Sequence, residues 1–546
     1  MSQTTATIVR AAGMILVITV AARIAGFVRY LVFGASVGGG DVGTAYASAN
    51  LLPNVLFEVI AGGALAAVVV PLVAGLVEND TDGTGKSTAD RVVSALFTWM
   101  LVITVPLMLA VILLAEPLAA LILSGATDAG IDLAAHFLRI FAVQLPLYGV
   151  AVVLGAYLQA RKRFFWPALI PLISSLVVMA TYGMYALLTP AVTEAGTISA
   201  GARAWLGWGT TGGVLAMALP LLWPARRAGL RLRPTLRMPS GMGRRALGLA
   251  GAGLGAVGAQ QLTVGLVLLV AMRAGGTGTL PVFQYAQALY LLPFAVLVVP
   301  LVTSVFPHLS EQRLVGDAAA FASTAAGSLR ATIAVAVIGA AALIGAAPAL
   351  EQFFRLIDRA NVEGVGSTVA ALALGLVPYA IAHQCTRILS AALRARDALI
   401  VGSVGWIVAA LLIGLIVASG PSRGTAEAAT AFGLAIAAGM SVSALLGVAR
   451  ISEVIDSPPQ MARLVRSGVA AVVAFALGGV GGYLISRPLV HSNSSMGMTL
   501  GVGVLAGVVA MLLVLAVLAL ADRESLLRIR DAIRRRRDRT ASGQAA

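Results

Sequence analysis

Charged side chains within long apolar stretches are the residues of this sequence that most need a chemical explanation. Arg23 and Arg29 lie in the first apolar stretch, and Glu58 lies in the second. Different estimates put the cost of a charge in a membrane span at about 2.5 to more than 10 kcal/mol, so such groups should face a cavity or a partner. The two arginines are about 120° apart around a helix, which suits the wall of a broad cleft. Two guanidinium groups in such a cleft predict a site for an anion.

The same charges also have structural interpretations. Arg23 could be the ion-pair partner of Glu58, and Arg29 is close enough to a helix end to extend its head group to water. Glu58 could pair with an arginine, bind a cation or face a water-filled vestibule, and we favour the pair. His383 and Arg387 share a helix face at positions i and i+4. A polar contact for His383 and a water-exposed Arg387 are the simpler expectations, although both remain candidates for the cavity or for coupling.

Glycine, proline and asparagine near these charges are typical of bent or closely packed membrane helices. Gly26 lies between the two arginines, Pro53 and Asn54 precede Glu58, and Pro293 lies in the eighth apolar stretch. We assign these four small or helix-bending residues to bending or packing of the helices rather than to substrate binding.

The composition requires that membrane helices position these groups. Hydrophobic residues make up 59% of the 546 residues, charged residues make up 11%, and the mean hydropathy is +0.94. Soluble proteins carry about 25% charged residues, so this chain has too few charges to cover a soluble globule. With about 20 apolar residues needed per crossing, we predict an all-α polytopic protein with about fourteen spans. The predicted spans are residues 10–35, 44–77, 92–114, 131–160, 165–188, 203–225, 244–272, 281–308, 326–347, 366–393, 398–419, 426–449, 464–486 and 497–521.

The basic residues predict the orientation of the spans. If the N-terminus is cytoplasmic, 28 of the 38 lysines and arginines fall on the cytoplasmic side and six on the outer side. This asymmetry predicts that both termini are cytoplasmic. The net charge of +15 is therefore explained by topology and by anionic membrane lipids, and no nucleic-acid partner is expected. Residues 350–364 resemble a short amphipathic helix lying on the outer surface.

The sequence around the motifs that resemble enzyme sites does not fit those sites. Cys385 is the single cysteine, so neither an internal disulfide nor a cysteine-based zinc site is possible. The glycine pattern at 253–258 lacks the preceding strand of a dinucleotide site and is typical of close helix packing. The loop 80–88 resembles a phosphate loop, but Asp80 replaces its first glycine. We therefore predict a transporter without a metal or cofactor, driven by an unidentified coupling ion or by the membrane potential.

Two short repeats predict a duplicated architecture. VLGAYLQAR at 153–161 matches ILSAALRAR at 388–396, and Leu-Leu-Pro occurs at both 51–53 and 291–293. The similar offsets of 235 and 240 residues relate the second span to the eighth and the fourth to the tenth. Such a repeat predicts two parallel-related six-helix bundles around a central cleft, followed by two further helices. The predicted units are an N-terminal bundle at 1–225, a cytoplasmic linker at 226–243, a C-terminal bundle at 244–449, helices 13 and 14 at 450–521, and a basic cytoplasmic tail at 522–546.

Several motifs together resemble the MurJ (MviN) family, within the multidrug/oligosaccharidyl-lipid/polysaccharide exporter superfamily. They are Arg-Ile-Ala-Gly-Phe-Val-Arg at 23–29, Ala-Asn-Leu-Leu-Pro-Asn at 49–54, Gly62-Gly63-Ala64, Val70-Pro71, LQARKRFFWPALIP at 158–171, Tyr285-Ala286, Leu292-Pro293, and Val-Phe-Pro-His-Leu-Ser at 305–310. The arginine-rich bias resembles that of actinobacterial members.

The resemblance implies a flippase that moves lipid II, the polyprenyl-pyrophosphate-linked disaccharide-peptide precursor of peptidoglycan. The precursor would pass from the inner to the outer leaflet of the bacterial plasma membrane by alternating access. Arg23 and Arg29 match two of the family's essential arginines, and the planar fork of arginine suits a pyrophosphate. Membrane lipids and cell-wall synthesis proteins are further partners that the resemblance implies.

The chain also departs from the family pattern. The family arginine after Leu-Pro-Asn falls at Phe57 or Glu58, the family arginine of helix 8 falls at Ala288, and the family aspartate between helices 1 and 2 falls near Thr44, with Asp41 as a stand-in. These departures keep open the export of another polyprenyl-linked glycan or cation-coupled drug antiport within the superfamily. A membrane enzyme or a scaffold of cell-wall synthesis is the alternative from another class of protein.

Overall fold

A computed structural model of the chain describes residues 3–59, 84–190, 192–238, 242–420 and 423–521, and their regular structure is helical. The helices are α1 Gln3–Ser36, α2 Asp41–Phe57, α3 Thr84–Leu113, α4 Ala115–Ile122, α5 Asp128–Ala142, α6 Gln144–Ala160, α7 Phe165–Leu188, α8 Ala200–Ala218, α9 Leu222–Arg227, α10 Met242–Gly275, α11 Thr279–Pro293, α12 Val299–Val315, α13 Ala318–Ile357, α14 Val365–Ala391, α15 Ala395–Ala418, α16 Thr425–Ser452, α17 Pro458–Leu489 and α18 Met496–Ala521. The prediction of an all-α protein is confirmed.

The described residues contain thirteen helical segments that are long and apolar enough to cross a membrane. The predicted second span, 44–77, is described only up to residue 59, where it forms α2. The tail 522–546, residues 80–83 of the phosphate-loop look-alike, Gly62-Gly63-Ala64 and Val70-Pro71 lie outside the described residues. The chain is thus a multi-pass membrane protein, and its thirteen described spans correspond to the predicted spans other than the second.

The helices pack in two groups. In the N-terminal group α1 packs on α7, α7 on α8, and α2 on α5. In the C-terminal group α14 packs on α13 and α16, and α15 packs on α10 and α16. Helices α17 and α18 pack together and against α13, which adds them to the outside of the C-terminal group. The two groups meet where α1 and α2 contact α11.

The hydrophobic core differs between the two ends of the molecule. We call the end that holds residues 161–164 and 228–238 the inner end, and the end that holds 37–40 and 358–364 the outer end, following the charge-based orientation. At the outer end a single buried cluster joins Phe33 and Tyr46 of the N-terminal group to Tyr285 and Phe354 of the C-terminal group. At the inner end each group has a separate cluster. The bundles are therefore packed together at the outer end and apart at the inner end.

The predicted surface helix at 350–364 is wrong. Residues up to Ile357 continue α13, a helix of 40 residues. The ring of Phe354 is fully buried and stacks on Tyr285, with 4.9 Å between ring centroids. The apolar face of this segment therefore packs against protein rather than lying on a membrane surface. A helix on a membrane surface and a helix packed against protein have the same amphipathic pattern, so the sequence could not distinguish the two.

The glycine pattern at 253–258 lies inside α10. A Cβ atom at Gly255 would lie 2.7 Å from Leu399 on α15. Gly255 thus permits the close approach of two helices, as the packing interpretation predicts, whereas a Cβ at Gly258 would have no atom within 4 Å.

Candidate functional site

A cavity of about 870 Å³ lies between the two groups of helices. Its lining residues come from α1, α2, α6, α7 and α8 on one side and from α11 and the turn after it on the other. Toward the outer end it is closed by Tyr46, Tyr182 and Thr210, each no more than 5% exposed. The Tyr46 hydroxyl makes hydrogen bonds of 2.9 Å with both Tyr182 and Thr210. Lining residues toward the inner end, such as Gln159 and Phe164, are exposed, so the cavity opens at that end.

Arg23 and Arg29 both line this cavity. They lie on one continuous helix, α1, about 9 Å apart along its axis. Arg23 is exposed near the open mouth, whereas Arg29 is half-buried, with its guanidinium carbon 5.7 Å from the ring centroid of Tyr30. Among the described residues, neither arginine forms an ion pair with an acidic side chain. Both positive charges therefore face a space that could receive an anion.

Glu58 also lines the cavity, at its exposed part. Within the described residues no ion pair joins Glu58 to Arg23 or Arg29, so the pair that we favoured from the sequence is not formed. Glu58 instead faces the open vestibule, which was one of the alternatives. Its neighbour Phe57 stacks on Tyr148, with ring centroids 4.5 Å apart.

Three other candidate residues lie away from the cavity lining. Asp41 begins α2, and its carboxylate accepts a hydrogen bond of 3.0 Å from the N–H of Ala195. The ring of His383 packs edge-on against Phe294, with centroids 5.4 Å apart. The Arg387 guanidinium carbon lies 5.9 Å from the ring centroid of Phe306. The structure therefore gives structural contacts to these residues and does not bring them together with Arg23 and Arg29.

Gly26 and Asn54 line the cavity as well. No atom lies within 4 Å of the place where a Cβ of Gly26 would be, and α1 continues through this position. The residue therefore leaves space in the cavity wall instead of making a close helix contact, and a bend at Gly26 stays a prediction. The side-chain amide of Asn54 donates a hydrogen bond of 2.9 Å to the carbonyl of Asn50.

Pro53 and Pro293 are the prolines of the two Leu-Leu-Pro repeats, and they lie in α2 and α11. Pro53 is buried within α2. Pro293 ends α11 and precedes a wide helical turn at Phe294–Val298. A Cβ atom at Gly339 of α13 would lie 2.7 Å from Pro293, so this proline both alters the helix and packs closely. The Leu-Leu-Pro repeat therefore marks two helices that supply lining residues from opposite sides.

An aspartate that the sequence did not single out lies at the outer end. Asp358 follows α13 and is 3% exposed. Its carboxylate accepts hydrogen bonds from the N–H of Gly39, at 2.9 and 3.0 Å to the two oxygens, and from the Tyr285 hydroxyl at 2.8 Å. It also accepts a hydrogen bond of 2.8 Å from the N–H of Ala360. Burial raises the pKa of this carboxyl group, and the donated hydrogen bonds oppose that rise without cancelling it.

Arg359, the residue after Asp358, also binds the N-terminal group from the C-terminal group. The N–H of Arg359 donates to the carbonyl of Gly34 at 3.0 Å. Its guanidinium donates to the carbonyls of Ala186 and Pro190 and to Oγ1 of Thr189, at 3.2 to 3.3 Å. A cation suits these carbonyls because the C-terminus of a helix, here α7, is electronegative. We call Asp358 and Arg359, with the groups that they bind, the outer clasp.

Glycines make the outer clasp possible. Gly38 has φ +78°, a conformation that favours glycine, and a Cβ there would lie 2.9 Å from Cβ of Arg359. A Cβ at Gly39 would lie 2.5 Å from Val362. Nearby, the N–H of Gly278 donates to the hydroxyl of Thr44 at 2.9 Å, which adds another bond between the groups. The run of three glycines at 38–40 is the one sequence signal that could have indicated this close contact.

Solved transporter structures share the fold of this chain. The chain has the fold of transporters of the MOP superfamily, which includes the multidrug resistance MATE family. An inward-facing MATE family transporter of that superfamily aligns with a TM-score of 0.63 and 14% identity, covering 80% of this chain and 96% of the other. A structure described as lipid II flippase MurJ in an inward closed conformation aligns with a TM-score of 0.70 and 18% identity, covering 94% and 99%.

The sequence identifies the family. A family model described as lipid II flippase MurJ matches residues 32–490, and the chain belongs to this family. The probable lipid II flippase MurJ of Rhizobium tropici is 29% identical over 302 residues, which are 54% of this chain and 53% of that protein. The protein of the same description from Rhizobium meliloti (strain 1021) is 25% identical over 374 residues, 66% of each chain. The chain thus spans between about half and two thirds of the length of these curated relatives.

The family model covers one of the two groups of residues discussed above and not the other. It begins at residue 32, so Arg23 and Arg29 lie before it, whereas Asp358 and Arg359 lie within it. The family prediction is confirmed, and the roles of the two arginines stay predictions.

Proposed function

We propose that this protein flips lipid II from the inner to the outer leaflet of the bacterial plasma membrane by alternating access. One observation carries the proposal: a cavity between the two helix groups opens at the inner end and holds two arginines that form no ion pair with an acidic side chain among the described residues. Family membership supports the choice of lipid II among anionic lipids. The protein is then a transporter rather than an enzyme.

The positions of the arginines suggest an order of contact. Arg23 lies nearer the mouth, and Arg29 lies deeper, in a part of the cavity lined by Tyr148 and Tyr182. A guanidinium group binds phosphate oxygens through charge-assisted, often bidentate, hydrogen bonds. An entering pyrophosphate would meet Arg23 first and then settle against Arg29, in the part of the cavity that Tyr148 and Tyr182 line. The headgroup would be released when the outer end opens.

Alternating access requires that the outer clasp break while the inner ends approach one another. Because the two groups have separate cores at the inner end, a rocking motion can bring them together without disrupting either core. We propose that a coupling ion or the membrane potential drives the cycle and that no nucleotide is consumed.

The proposal includes an orientation and partners. With both termini cytoplasmic, as the basic residues favour, the open end of the cavity faces the leaflet in which lipid II is made. Membrane lipids surround the spans, and proteins that use the flipped precursor for cell-wall synthesis are the expected partners on the outer side.

The test is complementation of a bacterium depleted of its own MurJ, scored by growth and by accumulation of lipid II. Wild-type protein should restore growth, and Arg23→Ala and Arg29→Ala should fail at normal protein level. Arg139→Ala is the matched control, because Arg139 pairs with Glu116 at an exposed site where an ion pair is worth about 0–1 kcal/mol. Growth supported equally by all three variants would contradict the role of the cavity arginines.

A second candidate is the export of a different polyprenyl-linked glycan. It is favoured by Phe57, Glu58 and Ala288, which line the cavity at positions where the family resemblance places arginines. Failure of the wild-type chain to relieve lipid II accumulation, together with binding of another polyprenyl-linked glycan, would support this candidate and exclude the first.

A further inference from the structure

A basic segment lies at the inner end of the N-terminal group, away from the cavity. We call residues 228–238, which follow α9 and read AGLRLRPTLRM, the strap. The strap and the end of α9 together carry five arginines, which are Arg226, Arg227, Arg231, Arg233 and Arg237. The sequence contains no aspartate or glutamate between Glu194 and Glu311. These positive charges therefore have no counter-charge in the neighbouring sequence.

Side chains of α3 hold the strap in place. The hydroxyl of Ser94 accepts a hydrogen bond of 3.1 Å from the N–H of Arg233 and donates one of 3.4 Å to the carbonyl of Arg231. Oγ1 of Thr98 accepts a hydrogen bond of 3.1 Å from the N–H of Thr235. Because the strap is not helical after its first turn, these bonds satisfy backbone groups that a helix would otherwise satisfy. The strap thus has a defined position along α3.

The strap buries leucines and exposes arginines. Leu230 is buried, and Leu232 packs against the same buried cluster of the N-terminal group. The alternate residues Arg231 and Arg233 are exposed, as is Arg237. Among the described residues, none of the five arginines forms an ion pair with an acidic side chain. Their charges are therefore held at the surface and can bind an external anion.

An exposed apolar surface begins directly beside the strap. Trp99 of α3 is exposed, and its indole N–H donates a hydrogen bond of 3.1 Å to the carbonyl of Leu236 in the strap. One turn further toward the outer end, Val102 is also exposed. Tryptophan is enriched where membrane lipids carry their headgroups, and Ser94 lies about 7.5 Å from Trp99 toward the inner end. The arginines next to Ser94 therefore lie at the level of the headgroups.

A second tryptophan marks the same boundary. Trp223 of α9 is exposed, and its ring packs edge-on against Trp166 of α7, with 5.9 Å between centroids. The guanidinium carbon of Arg227 lies 4.0 Å from the ring centroid of Trp223, a cation–π contact. Tryptophan and arginine thus occur side by side at two places on this flank of the N-terminal group.

We infer that the strap binds the headgroups of anionic phospholipids at the inner end of the N-terminal group. A nucleic acid or an acidic protein would match the charge as well. The exposed apolar surface beside the charges favours a lipid, because acyl chains continue from the headgroup along Trp99 and Val102. Bound lipids would hold this end of the N-terminal group at a fixed depth in the bilayer, at the end where the two groups have separate cores. This binding site is independent of the transported substrate.

The test measures which lipids collect beside the strap. The purified full-length Val102→Cys protein carries a bimane fluorophore and is reconstituted into phosphatidylcholine vesicles, and Cys385 is buried and should not react. Bromine on the acyl chains of a fraction of the lipid quenches a fluorophore that the chains touch. At equal fractions, brominated phosphatidylglycerol should quench at least about twofold more than brominated phosphatidylcholine, since each basic residue near an anionic lipid contributes roughly fivefold to binding.

The label position has a control on the other helix group. Leu445→Cys lies on the exposed side of α16 near the inner end. The nearby arginines Arg394 and Arg450 already pair with Asp397 and Glu453. The two brominated lipids should therefore quench a bimane at this position about equally.

Charge variants locate the site. The double variant Arg231→Gln, Arg233→Gln should lose the excess quenching by phosphatidylglycerol, and Arg231→Lys, Arg233→Lys should keep most of it. The matched control Arg394→Gln, Arg450→Gln also removes two positive charges but should keep the excess at Val102→Cys. Ser94→Ala with Thr98→Ala leaves the charge unchanged and releases the strap, so the excess should fall between wild type and the glutamine variant.

Four results would overturn the inference. They are equal quenching by the two lipids in wild type, an unchanged excess in Arg231→Gln, Arg233→Gln, an equal loss in the control variant, and an unchanged excess when the strap is released. Equal quenching together with binding of an RNA oligonucleotide would assign the strap to a soluble polyanion instead. If the glutamine variant does not fold, wild type in 1 M salt still decides, because screening to about 3 Å should remove the excess.

Discussion

The two ends of the molecule hold the helix groups in opposite ways. At the outer end the groups share one buried core and are tied by the outer clasp, in which Asp358 and Arg359 of the C-terminal group bind backbone and side-chain groups of the N-terminal group. At the inner end each group keeps its own core. The comparison teaches that this conformation is maintained by specific polar contacts at one end, whereas the other end is free to change. Substitutions at the two ends should therefore have very different effects on the conformation.

The largest effect is expected from Asp358→Ala. The substitution leaves the N–H of Gly39 and the Tyr285 hydroxyl without their buried acceptor, at a cost of about 1–3 kcal/mol for each unsatisfied group. The closed outer end should lose at least about tenfold in population relative to the open one.

Distances between spin labels measure this shift. Labels at Val192→Cys and Asn493→Cys report on the outer end, because both positions are exposed on different helix groups, and Cys385 is buried and should not react. Asp358→Asn is the matched variant, since it keeps the shape and one acceptor oxygen and should shift the distances less. Unchanged outer-end distances in Asp358→Ala would show that the clasp does not hold this end closed.

An intermediate effect is expected from Arg359→Ala. The change removes the guanidinium bonds to Ala186, Thr189 and Pro190 but keeps the backbone bond to Gly34. These partners are near the surface, so water can replace the lost donors, and the outer-end distances should shift less than in Asp358→Ala. Arg359→Lys, which keeps the charge without the planar fork, should lie between Arg359→Ala and wild type. A larger shift in Arg359→Ala than in Asp358→Ala would reverse the ranking of the two residues.

The smallest effect is expected at the inner end, from Arg394→Ala. Arg394 pairs with Asp397 at 2.6 Å and with Glu453 at 2.7 Å, and all three residues belong to the C-terminal group. These partly exposed pairs lie near the surface, where an ion pair contributes about 0–1 kcal/mol, and they do not join the two groups. Distances between labels at Arg163→Cys and Arg396→Cys should therefore match those of the labelled parent. A clear change would mean that the inner end also has a polar lock.

The sequence was sufficient for features that depend on local pattern. Hydropathy placed the fifth span at 165–188, the range that α7 occupies. The cost of a charge in a membrane led to Arg23 and Arg29, and the structure places both in the cavity wall. Their spacing on one helix was enough to predict that they line a broad cleft.

Features that depend on distant parts of the chain were missed. Asp358 and Gly39 are 319 residues apart, so no local pattern could relate them, and the amphipathic pattern at 350–364 fitted a surface helix equally well. The favoured pair between Glu58 and an arginine failed for a similar reason, because a shared cavity does not fix which side chains touch. Gly26 was assigned to close packing or a bend, because sequence cannot distinguish a glycine against a helix from one beside open space.

The most direct test of the proposed function is transport of lipid II by the purified protein. Lipid II with a labelled headgroup is reconstituted with the protein into vesicles, and a membrane-impermeant reagent then measures how much headgroup reaches the outer surface over time. Wild-type protein and Arg139→Ala should expose headgroups that protein-free vesicles keep inside, and the Arg23→Ala, Arg29→Ala double variant should behave like protein-free vesicles. Equal exposure by the double variant and wild type would contradict a pyrophosphate site on α1, and no exposure by the wild type under an ion gradient or a membrane potential would contradict lipid II flipping itself.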